Sequence, residues 1–285
     1  MRSGLKSLPN LSSSLFFSLE MCLNSFLPPF YVMRLEDFRR FELYSGVRVP
    51  SGSWLVLRLD GRGFGRLALE LRARKPFDPR LARCLVDSAR SVYQQGFNPA
   101  LIYVASDELN ILFIGEPPFG GRVEKLDSVL SGIISSSACL NLRRLFGVET
   151  VVSFDCRVVV LDEESFFGYI AWRQLDSERN CLNAYAYWIL RASGMSPRRA
   201  AERLRGLKAQ ALIKLLREHD VDFGSVPSWQ KNGILIYKRP VLRTAGKVHY
   251  LRKRLTESWR VPSFLGPQGR HLLRRVVRWA SVSRI

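Results

Sequence analysis

Two aspartates that each follow an apolar, β-prone run are the residues of this chain best suited to metal and phosphate chemistry. Asp60 follows the run 55–59 (LVLRL), and Asp107 follows the run 101–106 (LIYVAS). Carboxylate oxygens are hard ligands, and two of them delivered to one edge of a sheet can hold divalent cations against a triphosphate. If the fold brings Asp60 and Asp107 together, the pair predicts nucleotidyl transfer.

The residues next to each aspartate extend this candidate site. Gly61 can offer its backbone carbonyl as a further metal ligand, because glycine lets the chain pass close to an ion. Glu108 is an alternate or outer ligand, and Ser106 can hydrogen-bond a phosphate or orient Asp107. The glycine-rich turn 61–65 (GRGFG) can point backbone N–H groups at phosphate oxygens. The cations that can neutralise triphosphate charge are Arg62, Arg66 and Lys75.

Each motif taken alone has a simpler structural explanation. A strand that ends in Asp60-Gly61 is more often a turn, and Asp107-Glu108 is more often the tip of a hairpin. Only the placement of both aspartates on one rim, beside a basic glycine-rich turn, favours a functional site. Even that placement leaves a polymerase, a nucleotide cyclase and a metallophosphatase as alternatives.

The order of the predicted elements determines whether the two aspartates meet. Apolar patterning and capping signals predict strand, helix, strand, strand, helix, strand, which is the split ferredoxin-like unit. In that unit the first two strands run parallel with the third between them, so Asp60 and Asp107 are expected at the same edge. The predicted strands are 54–60, 101–106, 109–114 and 151–161, and the predicted helices are 79–95 and about 122–146.

Most of the remaining chain is expected to be helical. The same signals predict helices within 162–192, at 196–205 and at 208–218, followed by a late strand at 233–237. The predicted fold class is therefore α+β, with a ferredoxin-like βαββαβ domain and an additional C-terminal helical region.

Composition and charge narrow the class of partner. The 285-residue chain is 47% hydrophobic, which is enough for a substantial core, and its formal net charge is +19. An excess this large indicates a polyanion, either nucleic acid or an anionic membrane. Nucleic acid is favoured because the charge is concentrated near the C-terminus. From Lys238 to Ile285 there are 13 Lys and Arg residues and one acid, Glu257.

The cysteines and the N-terminal segment bear on localisation. Five scattered cysteines without a CxxC pair argue against a disulfide framework or a zinc site, and they indicate a reducing cytoplasm. No apolar run reaches the roughly 18–20 residues that cross a bilayer, so no membrane partner is expected. Residues 1–32 resemble a signal peptide only loosely, because Glu20 interrupts the apolar stretch. We expect a start-site artefact or a poorly ordered extension before Met33.

Six separated segments, in the same order along the chain, resemble the tRNA-His guanylyltransferase family of 3′-to-5′ polymerases. The resemblance extends from about Met33 to Tyr237. Several blocks in the correct order are far more specific than one short motif. The segments are LDGRGFGRL (59–67), KPFDPRL (75–81), SDELNILF (106–113), FDCRVVVL (154–161), YIAWRQLDSERN (169–180) and GMSPRRAAERLRG (194–206).

The resemblance implies a polymerase-like palm and a reaction that extends the 5′ end of tRNA, with tRNA-His favoured and two Mg²⁺ ions as cofactors. In that family ATP or GTP activates the 5′-monophosphate, the 3′-hydroxyl of an incoming GTP then attacks the activated end, and pyrophosphate leaves. Asp60 and Asp107 match the catalytic metal ligands, together with the Gly61 carbonyl. Lys75 and Asp78 match further active-site positions. The implied nucleotide-binding residues are Asp60, Gly61, Arg62, Gly63, Phe64, Gly65, Lys75, Ser106 and Asp107.

The resemblance also suggests how the chain is organised. It implies a palm-like catalytic domain at 33–161 and a helical region packed on it at 162–238, which includes the late strand. Residues 1–32 form the N-terminal extension, and residues 239–285 form a basic tail that is a candidate RNA contact. Members of the family are commonly homotetramers, so a homotetramer is expected.

Two departures from the family bear on specificity. Gly65 stands where eukaryotic members carry a histidine, and residues 178–181 (ERNC) stand where they carry His-Ile-Asn-Asn, so only Asn180 is retained. These departures favour the archaeal or bacterial-like branch, which adds nucleotides by Watson–Crick templating. Templated repair of truncated tRNA 5′ ends is therefore one alternative function. A palm-type cyclase or small-molecule nucleotidyltransferase, and a non-catalytic RNA-binding protein with a decayed palm, are the others.

Overall fold

The computed structural model describes residues 35–245 and 248–281, so the extension predicted at 1–32 lies outside the described residues. The chain divides into two compact units, one up to Gly46 and one from Val47 onward. In the first unit a 3₁₀ helix spans Leu35–Phe41. All elements below belong to the second unit.

One six-stranded sheet organises the second unit. Its strands are β1 (Trp54–Gly61), β2 (Leu101–Ala105), β3 (Glu108–Ile114), β4 (Phe154–Leu161), β5 (Ile234–Ala245) and β6 (Val248–Ser258). The strand order is β4-β1-β3-β2-β5-β6, and all neighbouring strands are antiparallel. β1 and β2 therefore run parallel with β3 between them, and the predicted ferredoxin-like core is confirmed.

Helices cover both faces of this sheet. They are α1 (Phe64–Glu70), α2 (Pro79–Gln94), α3 (Val123–Phe146), α4 (Glu163–Ala192), α5 (Pro197–Leu204), α6 (Ala209–Arg217), α7 (Ser228–Lys231) and α8 (Pro267–Ser281). On one face α1, α2 and α3 bury residues such as Leu85 against Leu57 of β1. On the other face α8 and the first half of α4 bury Leu273 and Phe166 with Tyr103 of β2. The second half of α4 forms a separate core with α5 and α6.

Capping residues explain where α2 and α3 begin and end. The Asp78 carboxylate accepts the Arg80 N–H at 2.8 Å, and Pro79 occupies the first turn, where its missing N–H costs nothing. Gly147 ends α3 with φ 68°, a left-handed conformation that glycine adopts without strain. None of the helices in the described ranges is long and apolar enough to cross a membrane.

Several elements were not predicted from the sequence, and three of them, α1, β6 and α8, bear on the site or the C-terminal region. The glycine-rich turn 61–65 continues directly into α1, which at seven residues is too short to show a clear periodicity. β5 does not stop at 237 but continues to Ala245 and pairs with the whole of β6. α8 follows and packs back on the sheet. Most of the described part of the region predicted as a basic tail, residues 239–285, is thus regular structure.

Candidate active site

β1 and the turn between β2 and β3 bring Asp60 and Asp107 to one rim of the sheet. Asp60 pairs directly with Glu108 of β3 and with Asp155 of β4. The Gly61 N–H donates to the Asp107 carbonyl at 3.1 Å, and a Cβ built on Gly61 would lie 3.1 Å from the Asp107 Cβ. Directly opposed residues of antiparallel strands have Cα atoms about 4.5–5.5 Å apart. Asp60, Asp107, Glu108 and Asp155 therefore form one group, which we call the carboxylate rim.

The carboxylate rim concentrates negative charge in a partly buried place. Burial raises the pKa of Asp60, and the charges of Glu108 and Asp155 raise it further. Burial also raises the pKa of Asp107, although a hydrogen bond from Ser106 opposes the effect. The charges of Asp60 and Glu108 add to the rise at Asp107. A bound cation would relieve this repulsion, because an opposite charge within a few ångströms favours the ionised carboxylate.

The donor atoms of the rim suit Mg²⁺. This ion usually takes one or two protein carboxylates and completes its octahedron with phosphates and waters. Across residues 35–245 and 248–281, no group of three or more His, Cys, Asp or Glu side chains could hold a metal ion. Asp60, Asp107 and the Gly61 carbonyl offer oxygen donors, and phosphates and waters would have to complete the coordination of an ion there.

The position of Gly61 tolerates no side chain. A Cβ there would lie 2.4 Å from Cδ2 of Phe64, well inside van der Waals contact. The Phe64 ring is buried and packs on Phe154, with ring centroids 5.2 Å apart, so it has little room to move. Glycine at this position leaves the backbone beside Asp107 open to a ligand.

Backbone hydrogen bonds fix the glycine-rich turn that follows β1. The Arg62 N–H donates to the Ser153 carbonyl at 2.9 Å, and Gly63 adopts φ 74° as the N-cap of α1. The first N–H groups of a helix have no intrahelical acceptor and can receive a phosphate. Phe64 and Gly65 line the adjacent cavity, but the side chains of Arg62 and Arg66 are exposed and do not line it.

The Glu108 carboxylate is already bound by other side chains of the protein. The Arg173 guanidinium donates to both carboxylate oxygens, at 2.8 and 2.6 Å, and the Asn110 amide donates at 2.8 Å. Such a bidentate pair is among the strongest polar contacts in proteins. Glu108 is therefore better placed to orient the rim than to serve as a metal ligand.

A cavity of about 620 Å³ opens beside the carboxylate rim. Ser106 and Asp107 line this cavity, as do the aromatic side chains of Tyr187 and Trp188 on α4. The Lys75 Nζ stands 5.3 Å from the centre of the Trp188 ring. Burial lowers the pKa of Lys75, while the nearby charge of Asp78 opposes the change. The cavity thus offers anionic, cationic and aromatic groups within one enclosure, as a nucleotide requires.

Two further residues implied by the resemblance also line the cavity. Asp78 is buried, and its carboxylate accepts the Arg74 N–H at 2.9 Å and the Arg80 guanidinium at 2.8 Å. Burial favours a higher pKa for Asp78, but these hydrogen bonds outweigh it and lower the pKa to about 2. Asp78 therefore fixes the segment that carries Lys75. Asn180 is exposed on α4, with its amide 3.5 Å from Asp176.

Among the residues of α4 that line the cavity, the sequence predicted only Asn180 as a site residue. The cavity-lining side chains of α4 recur every three or four positions, which places them on one face of the helix. They are Arg173, Asp176, Ser177, Asn180, Cys181, Ala184, Tyr187 and Trp188. The spacing was visible in the sequence, but a 30-residue helix also buries other faces, so nothing in the pattern alone selects this one.

Comparison with known proteins gives consistent results over most of the chain. A family model described as tRNAHis guanylyltransferase matches residues 35–162, and one described as Thg1 C terminal domain matches residues 164–260. A probable tRNA(His) guanylyltransferase of Mus musculus is 29% identical over 214 residues, which is 72% of this chain and 71% of that protein.

Solved structures share the fold. A bacterial tRNA(His) guanylyltransferase-like protein in complex with ATP matches with a TM-score of 0.69 at 22% identity. The match covers 85% of this chain and 97% of that one. A bacterial protein of the same description in complex with GTP has a TM-score of 0.66 at 21% identity, over 87% and 98% of the two chains.

Proposed function

Because the chain belongs to the tRNAHis guanylyltransferase family, we propose that it adds guanylate to the 5′ end of tRNA-His at the carboxylate rim. The observation that carries the proposal is the convergence of Asp60 and Asp107 beside the 620 Å³ cavity. Sites for small ligands typically enclose about 300–1,000 Å³, so one nucleotide can be accommodated. ATP and GTP are the proposed nucleotides, since they occupy the two bacterial structures.

Enzymes of this family are generally metal-dependent nucleotidyltransferases, and we propose two Mg²⁺ ions here. Asp60, Asp107 and the Gly61 carbonyl would hold them. Bound there, the ions would neutralise triphosphate charge and sharpen the attacking hydroxyl. The rim supports this assignment because burial, together with the charges of Glu108 and Asp155, raises the pKa of Asp60, and a bound cation would favour its ionised form.

The protein groups contribute mainly position and electrostatics. Lys75 would face the phosphates from within the cavity, and the glycine-rich turn 61–65 would present backbone N–H groups to a phosphate oxygen. Trp188 offers an aromatic face to a nucleobase, which stacks on such rings. Arg173 fixes Glu108 and so keeps its charge at a constant distance from Asp60. Holding both reactants in this way converts an encounter into a reaction within one complex.

We also propose how the protein adds nucleotides, its oligomeric state and its location. Both carboxylates and a cavity for a nucleotide are present, which favours a catalytic protein over a non-catalytic RNA-binding one. Gly65 and the sequence ERNC at 178–181 favour templated addition and a role in 5′-end repair. We further propose a homotetramer, as is common in the family, and a cytoplasmic location, consistent with the free cysteines Cys84, Cys139, Cys156 and Cys181.

A nucleotide-addition assay tests the proposed function. Purified protein is incubated with Mg²⁺, ATP, labelled GTP and 5′-phosphorylated tRNA-His transcripts, full-length or shortened at the 5′ end. We expect Asp60→Ala and Asp107→Ala each to reduce addition by at least about 100-fold while tRNA binding persists. Glu149→Ala is the matched control, because the Glu149 side chain is 73% exposed and pairs only with the exposed Arg143.

The outcomes separate the alternatives. Label on shortened transcripts alone indicates end repair, and label on full-length transcripts indicates addition to tRNA-His. Unchanged activity in both aspartate variants would refute the carboxylate rim as the active site. Nucleotide products formed without any RNA would instead indicate a small-molecule nucleotidyltransferase.

A further inference from the structure

The hairpin of β5 and β6 extends beyond the sheet as an arm. β2 pairs with β5 only from Ile234 to Tyr237, whereas β5 pairs with β6 as far as Ala245. We define the arm as residues 239–245 and 248–254. At about 3.3 Å per residue, it reaches roughly 23 Å past the last strand that supports it.

One face of the arm is strongly basic. Arg239 lies directly opposite Arg254, and Val241 lies directly opposite Arg252. Side chains two residues apart on a strand share a face, so these residues and Arg243 project to the same side as Tyr237. Like charges placed opposite each other destabilise a sheet, and folding alone therefore does not favour this arrangement.

The outer face of α8 repeats the pattern. Leu273, Val276 and Val277 are buried against the sheet, and the opposite side of the helix presents only basic and polar groups. The exposed arginines are Arg270, Arg274, Arg275 and Arg278. Several of them are four residues apart, a spacing at which like charges weaken a helix. The helix contains no acidic residue to compensate.

The two basic faces are joined. The Tyr237 ring stacks on Trp279 of α8 with centroids 5.9 Å apart, and the Arg275 guanidinium lies 5.0 Å from the Trp279 ring centre. Arg239 follows two residues after Tyr237 on the same face. We call the combined area the basic surface. It comprises Arg239, Arg243, Arg252 and Arg254 of the arm and Arg270, Arg274, Arg275 and Arg278 of α8.

Within the part of the chain that the structure describes, none of these eight arginines forms an ion pair with a carboxylate. Glu257, the one acidic residue between Lys238 and Ile285, pairs with Arg83 and Arg90 of α2. The surface is made of arginine, whose planar fork binds a phosphate through two parallel hydrogen bonds. The positive charge of the basic surface therefore indicates that it binds an external polyanion with regularly spaced phosphates.

We propose that the basic surface binds the phosphate backbone of a double-helical arm of the tRNA, remote from its reacting 5′ end. This inference rests on the proposed function, because tRNA is the polyanion that the function supplies. β5 runs antiparallel to β2, so the arm points away from the carboxylate rim. Arg239 lies about eight strand residues from the level of Asp107, or roughly 26 Å. Contacts so far away bind ground state and transition state equally, so they lower the KM for tRNA without changing kcat.

Helix α8 lies outside the segments that the two family models match. The two family models together end at residue 260, and α8 begins at Pro267. Helical RNA is recognised mostly by its shape and its backbone, which suits a surface of exposed arginines. The exposed Tyr250 on the same face of the arm adds one aromatic group beside Arg243.

The test compares two triple variants that remove the same charge. The first carries Arg274→Gln, Arg275→Gln and Arg278→Gln on α8. The control carries Arg199→Gln, Arg203→Gln and Arg205→Gln, three exposed arginines at and just after α5. Binding of a 5′-phosphorylated tRNA-His transcript is measured by fluorescence anisotropy over a potassium chloride series, without any nucleotide. Thermal melting of both variants confirms that they remain folded.

We expect the α8 variant to bind tRNA at least about tenfold more weakly, with a salt dependence reduced by about two to three phosphate contacts. The control should bind within about twofold of the unaltered protein. In the addition assay the α8 variant should show a raised KM for tRNA and an unchanged kcat. An arm variant with Arg239→Gln, Arg243→Gln and Arg252→Gln should behave like the α8 variant.

Equal tRNA affinity in the α8 variant and the unaltered protein would overturn the inference, as would an equal loss in the control. Loss of binding to phosphatidylserine vesicles without loss of RNA binding would also overturn it, since the surface would then serve a membrane. Binding of tRNA is measured without nucleotide, so its outcome does not depend on guanylate addition. A protein that adds no guanylate would therefore refute the proposed function without refuting the basic surface. A selective loss of tRNA binding in the α8 variant would still support the surface.

Discussion

Burial raises the pKa of Asp107 above its ordinary value of 3.8, and the charges of Asp60 and Glu108 raise it further. A carboxyl group with a raised pKa binds its proton more tightly in the folded state than in the unfolded state. Its contribution to stability is therefore most favourable at low pH and declines as the pH rises through 3.8 toward the raised value. At neutral pH the Asp107 side chain is ionised, and its burial among negative charges then lowers the stability of the folded state by the full amount. Under the proposed function, this charge is the one that would bind a metal ion.

We therefore expect Asp107→Asn to stabilise the metal-free protein at neutral pH while abolishing guanylate addition. The neutral amide removes the repulsion from Asp60, and each kcal/mol gained should raise Tm by about 2–4 °C in a chain of this size. Thermal melting at pH 7 without Mg²⁺ measures the gain, which should vanish below pH 4. Added Mg²⁺ should raise the Tm of the unaltered protein but not of the variant.

An Asp107→Asn protein that melts at a lower temperature than the unaltered protein at pH 7 would show that the Asp107 charge is already compensated. Asp162→Asn is a poor comparison because Asp162 caps α4. Glu149→Gln is better, since it removes one exposed charge without touching a cap or the rim. Its Tm should stay within about 1 °C at either pH.

At the scale of elements, one acidic side chain fastens the arm-bearing hairpin to the helices. Glu257 of β6 accepts hydrogen bonds from Arg83 and Arg90 of α2 and from the indole of Trp259 at 3.1 Å. Burial opposes ionisation, but these bonds outweigh it and lower the pKa of Glu257 to about 2. The attachment contributes fully above the ordinary pKa of 4.5 and is lost as the pH falls toward 2.

We expect Glu257→Gln to reduce the free energy of unfolding by about 1–3 kcal/mol, because it removes the carboxylate that Arg90 pairs with and leaves Arg83 paired with Asp87 alone. Denaturant melts at pH 7 measure the loss, which should shrink as the pH approaches 2. Glu202→Gln is the matched control, since Glu202 pairs with Arg198 on the exposed face of α5 and should cost less than about 0.5 kcal/mol. Equal losses in the two variants would contradict a specific role for the attachment.

The sequence predicted the elements whose patterns are local. β1, β2 and β3 are continuous apolar runs, α2 has Asp78 and Pro79 at its start, and α3 ends at Gly147, so each was found within about a residue. The arm was missed because its strands carry arginine on one face, a pattern that resembles a charged tail. The cavity wall on α4 was missed for a different reason, since it depends on how a 30-residue helix is rotated against the sheet. Rotation is set by packing partners far away in sequence.

For the molecule as a whole, the net charge of +19 is distributed unevenly, and composition alone does not show where the charge lies. The carboxylate rim lies at one end of the sheet, and the arm leaves the sheet at the other. The positive charge of the basic surface therefore lies where it would bind the body of an RNA without cancelling the negative charge of the carboxylate rim. Because the carboxylate rim and the basic surface are separate, substitutions can alter catalysis and RNA binding independently.

Helix α8 packs on the core and also carries part of the basic surface, so a truncation that removes it would change both at once. A stop after Gly266 would remove α8 and expose the sheet residues that Leu273, Val276 and Val277 now cover. Burying each such side chain is worth about 1.5–3 kcal/mol, so the loss approaches the 5–15 kcal/mol that typically holds a protein folded. We expect the truncated chain to melt at least 10 °C lower, or to aggregate, by circular dichroism. The charge-only variant of α8 should melt within about 2 °C of the unaltered protein. A truncated chain that melts normally would show that α8 contributes nothing to the core, and that its apolar face serves another partner.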